Sequence, residues 1–174
     1  TPIVLANYFE PFMLKNVDLA QENGIIAQVI SSSFLDSANS MVREAILKKA
    51  KFVGVLRLPS DTFAGTSVTT DIIILQKRPR ELSDSELASL GDELKILEVN
   101  KVDDGFENKA LSLLNGNADY HFFIASKNRI TTKGEFGRER IGYEPLNIDE
   151  SNQALQRFFN AVKSDLVKTN NPAE

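Results

Sequence analysis

Three short runs of β-branched and aliphatic residues constrain this chain more than any other feature. They are Gly24–Ile30 (GIIAQVI), Phe52–Leu58 (FVGVLRL) and Thr69–Lys77 (TTDIIILQK). Each has the length of a strand and almost no charge, so each reads as a strand buried in a layered core. Between the first two lies a helical pattern from Asp36 or Ser37 to about Lys49. Its spacing predicts Met41, Val42, Ala45 and Ile46 inward and Arg43, Lys48 and Lys49 outward. Ahead of the first strand, Thr1 suits an N-cap and Pro2 the first helical position. Helical spacing of apolar residues then continues from Ile3 to Leu19, with Pro11 predicting a kink or a second start near Glu10. Helix, strand, helix, strand, loop, strand is the alternation of an α/β sheet protein.

The texture changes after Pro79. Ser83 and Glu86 form a capping-box pattern that opens an acidic helix. A second short helix is predicted over Gly105 to Leu114, a strand over Tyr120 to Ala125, and a turn-rich stretch over 126–143. Asp149 or Ser151 begins a last amphipathic helix with Leu155, Phe158, Phe159, Val162 and Leu166 on one face. The chain therefore divides into residues 1–80, which are α/β, and residues 81–174, a mainly helical extension.

Composition removes several kinds of chemistry. Cysteine is absent and His121 is the single histidine. That excludes a disulfide framework, a thiolate zinc site and cysteine catalysis, and speaks against a histidine metal cluster. The apolar runs are far shorter than the roughly 20 residues that span a bilayer, so no membrane partner is expected. No basic segment followed by an apolar one opens the chain, and the expected setting is cytoplasmic.

The net charge of −4 is unevenly spread. Residues 81–119 hold three basic and ten acidic side chains, whereas 127–143 hold five basic and two acidic. The five are Lys127, Arg129, Lys133, Arg138 and Arg140, interleaved with Phe136 and Tyr143. Two readings stand for them: a nucleic-acid contact strip, or a solvated loop whose charges pair with the acidic stretch. Two also stand for Gly65 to Thr70, whose Thr66, Ser67 and Thr69 hydroxyls suit phosphate or base edges, while Thr69 and Thr70 equally suit the start of a strand. Asp71 falls beside Arg57 on the neighbouring strand and reads as a cross-strand ion pair rather than a catalytic acid. His121, next to Phe122 and Phe123, reads as a satisfied, half-buried imidazole.

Three stretches together resemble the C-terminal half of an N6-adenine-specific DNA methyltransferase domain. They are Asn7-Tyr8-Phe9 with the helix leading into IIAQVISSSFLDS, the helix pattern Met41 to Leu47, and Leu56-Arg57-Leu58-Pro59-Ser60-Asp61-Thr62-Phe63 running on into Val68 to Arg78. The nearest branches are the type I modification subunits and the large helicase-linked methylases of phages and mobile elements. The resemblance implies a partial class I, Rossmann-like methyltransferase sheet whose last strand is antiparallel. It implies Phe63 as one of two aromatic faces that hold a flipped target adenine. It also implies S-adenosylmethionine as the methyl donor of the full-length enzyme and DNA as its partner. The family binds its donor at a glycine-rich turn and works through an Asn-Pro-Pro-aromatic loop, both of which would precede Thr1. Neither motif occurs in these 174 residues. The expectation is therefore a fragment that holds no cofactor of its own, is inactive alone and pairs with a missing N-terminal half. Non-catalytic alternatives are a nucleic-acid-binding module or an assembly module that self-associates through an exposed sheet edge.

Overall fold

A computed structural model describes residues 9–60, 62, 68–102, 105–115, 121–126, 128–133, 137 and 139–166, with side chains except at 9–11, 132–133 and 140–141. The first helix, α1, runs Phe9–Leu19. Pro11 falls in its first turn, where a missing N–H costs no helical bond. The helix start at Thr1 lies outside the described residues. Strand β1 is Ile25–Ser31, β2 is Ala50–Arg57 and β3 is Thr70–Lys77.

These strands form a mixed sheet. β3 lies between β1 and β2 and runs antiparallel to both, so β1 and β2 are parallel. A fourth strand, β6 (His121–Ile124), pairs in parallel with the other edge of β2, matching Gly54 with His121 and Arg57 with Ile124. The expected extension thus contributes directly to the main sheet. The strand order is β1-β3-β2-β6.

Both faces of β2 are covered, which is why its sequence is apolar without alternation. Phe52 and Val55 face a layer made by Met13 and Val17 of α1 and Ile46 and Leu47 of helix α3 (Met41–Lys49). Val53 and Leu56 face Phe158 and Val162 of the last helix, α6 (Ile148–Asp165). A bulge between Phe52 and Gly54 lets Val53 and Gly54 both turn toward α6. Gly54 is needed there: a Cβ would stand 2.5 Å from Val162 Cγ2 and 2.9 Å from Phe158 Cε2.

Several local features differ from expectation. The helix expected from Asp36 to Lys49 is two: a single turn, α2 (Ser33–Asp36), and α3. They are separated because Asn39 Oδ1 accepts from the Met41 N–H and restarts the chain. Arg43, expected outward, is fully buried, while Met41, expected inward, is 74% exposed. The Arg43 guanidinium donates to the carbonyls of Phe34, Ser37, Ile96 and Leu97, four backbone acceptors that offset its burial.

Beyond β3, the Ser83–Glu86 capping box opens a short helix, α4 (Asp84–Ala88). Gly91, at φ +68, follows it and starts a 3-10 helix over Gly91–Leu97. The helix expected over 105–114 begins instead as a strand: β5 (Gly105–Asn108) pairs with β4 (Val99–Val102) before α5 (Lys109–Leu113). The stretch expected to be turn-rich holds a two-stranded ribbon, β7 (Arg129–Lys133) against β8 (Glu139–Tyr143). Asn147, ahead of the expected Asp149 or Ser151, caps α6 through a box with Glu150. No helix among the described residues is long and apolar enough to cross a membrane.

Candidate functional site

Because β1, β2 and β6 run in parallel, their carboxyl ends open on one edge of the sheet. Open α/β sheets bind ligands in the crevice outside such ends. β2 ends and β3 begins at this edge, and a polar cluster lies where they do.

Arg57, the last residue of β2, is its centre. Its Nε and Nη2 donate to the two carboxylate oxygens of Asp71 at 2.8 and 2.9 Å, and both side chains are fully buried. Nη1 donates to Asp36 Oδ2 at 2.9 Å. The other oxygen of Asp36 accepts from the Asn108 N–H, while the Asn108 amide donates to the Leu35 and Ile96 carbonyls. Burial would push the Arg57 guanidinium down, but Asp71 and then Asp36 hold it well above its ordinary value. For Asp36 burial wins. It pushes the carboxyl up to about 6 against the pull of Arg57, with Asp71 adding to the rise.

The Arg57 guanidinium also lies 5.9 Å from the centre of the Tyr143 ring. The Tyr143 hydroxyl donates to the Glu107 carboxylate, and Arg129 Nη2 lies 3.7 Å from that same carboxylate. Burial pushes the Tyr143 phenol above its ordinary range, so it remains a donor across the neutral region. The cluster thus ties β2, β3, α2, β5 and the β7–β8 ribbon together.

Arg57 and Asp71 form the ion pair read from the sequence. Thr69, named as a candidate DNA contact and equally as a strand start, is buried, and its hydroxyl shares a hydrogen bond with Ser60 Oγ at 3.2 Å. Arg129 faces Glu107. Lys133 stands opposite Glu139, and Arg140 opposite Thr132, in the ribbon register. Arg129, Lys133 and Arg140 of the basic strip thus stand on an antiparallel ribbon, and Arg129 has an acidic neighbour. Phe63, Thr66, Ser67, Lys127 and Arg138 lie outside the described residues. His121 is buried, with Nε2 3.6 Å from Asp165.

Sequence reasoning missed Asp36, Asn108, Ser60 and Tyr143 as members of one cluster. Asp36 and Ser60 stand inside the motif stretches themselves, and that was the one signal they gave.

S-adenosylmethionine needs a close backbone approach at a strand-to-helix turn. The described glycines do not offer it. Gly24 precedes β1, Gly54 is covered by α6, Gly91 opens the 3-10 helix, Gly105 begins β5, Gly137 falls between β7 and β8 and Gly142 stands in β8 opposite Ile130. None of the described glycines stands at a strand-to-helix turn.

This is a mixed α/β fold with a polar cluster at the sheet's carboxyl edge. The model of the N-6 DNA methylase family matches residues 2–131, and the chain belongs to that family. The matched span runs past residue 80 and takes in β6. Among curated proteins, the chain is similar to the "Defense against restriction protein B" of Escherichia phage P1, at 32% identity over 76 residues. The aligned stretch is 42% of this chain and 3% of that relative's length. No solved structure matches the chain.

Proposed function

We propose that this chain supplies the rear of the sheet and the target-base segment of an S-adenosylmethionine-dependent N6-adenine DNA methyltransferase, the donor site coming from residues outside the 174. One observation carries the reading. An antiparallel strand lies between two parallel ones, and the outer edge of β1 has no strand against it among the described residues. The first feature is what the end of a class I methyltransferase sheet would have, and it supports the reading. The second is where the preceding strands of such a sheet would pair. Ile25 and Val29 on β1 are 56% and 52% exposed, a heavy apolar load for an edge strand that faced water alone.

In this reading Phe63 gives one stacking face to the extruded adenine, which must regain on a π-face the stacking it had inside the duplex. The Arg57–Asp71–Asp36 cluster braces the carboxyl end of β2, from which the target-base segment departs. Thr66, Ser67, Lys127, Arg129, Lys133, Arg138 and Arg140 are the candidates for backbone phosphates. Alone, the chain neither binds the donor nor transfers a methyl group.

The test is reconstitution. The chain is co-expressed with a segment carrying a glycine-rich donor turn and an Asn-Pro-Pro-aromatic loop, and tritiated methyl transfer to adenine in DNA is counted. Activity of the pair and none of either part is the expected result. Phe63→Ala should weaken flipped-base binding by about 1–3 kcal/mol. Micromolar S-adenosylmethionine binding by the chain alone, seen by calorimetry, would overturn the reading.

A further inference from the structure

The outer face of α6 carries amides where a solvated helix face usually carries paired acids and lysines. Between Ser151 and Ser164 the helix has no acidic residue, and its cations are Arg157 and Lys163. Asn152, Gln153, Gln156, Arg157, Asn160 and Lys163 are all exposed, and at 3.6 residues per turn they share one arc of about 140°. Acids stand only at the ends. Asp149 and Glu150 lie in the first turn, where Glu150 is taken up by the capping box, and Asp165 faces Lys51 and His121. Within the arc, Gln153, Gln156, Arg157 and Asn160 stand at i, i+3, i+4 and i+7 and line a shallow hollow of about 360 Å³. Among the described residues, none of these four side chains has a hydrogen bond or an ion pair.

The chemistry of that set names its partner. A carboxamide offers a donor and an acceptor in one plane, the match for the N6 and N7 edge of adenine. A guanidinium matches O6 and N7 of guanine in the same way. Unpaired cations without a neighbouring acid suit a polyanion, and the major groove, about 12 Å wide, admits a helix. Gln153 to Asn160 spans about 10 Å of axis, the length of about three base pairs. The position of the face agrees. Gln153 and Arg157 also line a cavity of about 500 Å³ whose far wall holds Leu56, Ile124 and Ala125, at the carboxyl ends of β2 and β6. The amide face therefore adjoins the sheet edge from which the target-base segment departs. Its footing is fixed, since Phe158 and Val162 on the opposite side are buried against β2.

We propose that α6 is a sequence-reading helix, with Gln153, Gln156, Arg157 and Asn160 on base edges in the major groove beside the target adenine and Lys163 on a phosphate. The proposal rests on the reading of the chain as part of a DNA methyltransferase.

Selection by the full chain from a pool of randomised duplexes, followed by sequencing, tests it. The expected result is enrichment of a word of about three adjacent base pairs. Arg157→Lys keeps the charge and loses the planar fork. It should leave the salt dependence of binding unchanged in fluorescence anisotropy while relaxing one G·C position by roughly tenfold. Gln153→Ala with Gln156→Ala should erase the preference at neighbouring positions. Urea midpoints should match wild type, and a lowered midpoint would show these to be packing residues and overturn the proposal. No enriched word, a word unchanged in the variants, or no duplex binding at about 50 mM salt overturns it as well. In the reconstituted methyltransferase, a site preference that survives every variant sinks the helix reading and leaves the enzyme reading standing. A word read by the chain, with no methyl transfer by the reconstituted pair, sinks the enzyme reading and leaves α6 as the reader.

Discussion

The seat of α6 on the sheet rests on a missing side chain. Replacing Gly54 with alanine is the sharpest way to test it. In an ordinary strand Gly→Ala stabilises by about 0.4–1 kcal/mol, because the unfolded chain loses freedom. Here the new Cβ would lie 2.5 Å from Val162 Cγ2, 2.9 Å from Phe158 Cε2 and 3.2 Å from the His121 carbonyl oxygen. The first two atoms belong to side chains that are themselves buried, and the third to the backbone of β6, so none can swing into solvent. Either α6 is displaced or β6 moves off β2. Overpacking of this kind costs about 1–3 kcal/mol, and each of Phe158 and Val162 stands to lose up to about 1.5–3 kcal/mol of burial if the helix lifts. The expected net is a loss of about 2–4 kcal/mol, opposite in sign to the usual exchange. Urea unfolding followed by circular dichroism measures it. Val162→Ala removes the shortest approach, so the double variant should be less unstable than the two single losses summed. A Gly54→Ala midpoint at or above wild type would show that α6 does not rest on Gly54, and the packing argument would fail.

Three further outcomes are expected. Asp71→Ala should cost about 3–5 kcal/mol, because it strips two bonds from a buried Arg57, while Arg57→Met with Asp71→Leu should recover much of the loss in urea melts. Asp36 binds its proton more tightly folded, near pH 6, than unfolded, near 3.8. Stability should therefore fall by up to about 3 kcal/mol as pH rises from about 4 to 6.5, and Asp36→Asn should flatten that slope. A slope unchanged in that variant refutes the assignment. Finally, Ile25→Lys with Val29→Lys should abolish self-association of the isolated chain in sedimentation velocity, since both lie exposed on the open strand. A wild-type chain that is already monomeric would show the edge to be harmless.

β2 and β3 were legible because burial on both faces demands uninterrupted apolar residues, and FVGVLRL and DIIIL have little else they can become, whereas GIIAQVI of β1 was read as buried although Ile25 and Val29 stand exposed on it. The Arg57–Asp71 pair was legible for a related reason, since the two residues fall opposite one another once β2 and β3 are paired. Arg43 was not. A lysine or arginine on a short helix reads as outward, and two of the carbonyls that satisfy this one lie more than fifty positions away. The ribbon over 129–143 was obscured by polar residues in both strands, so no apolar alternation marks RITTK or ERIGY. The cluster around Tyr143 needed tertiary structure, because its members come from separate elements far apart in the chain.

The parallel pairing of β6 with β2 has a consequence for the order in which this sheet is made. Arg57 and Asp71 are 14 residues apart and meet across a short connection, whereas Gly54 waits for His121. Closing the longer loop costs about 1.4 kcal/mol more in chain entropy. During synthesis β1, β3 and β2 can assemble first, with the outer edge of β2 open and Val53, Leu56 and Ile74 uncovered on one face. Those residues stay bare until α6 brings Phe158 and Val162 against them. A ribosome paused between residues 80 and 121 would hold a half-built sheet with both an apolar face and a strand edge exposed, a species prone to aggregate.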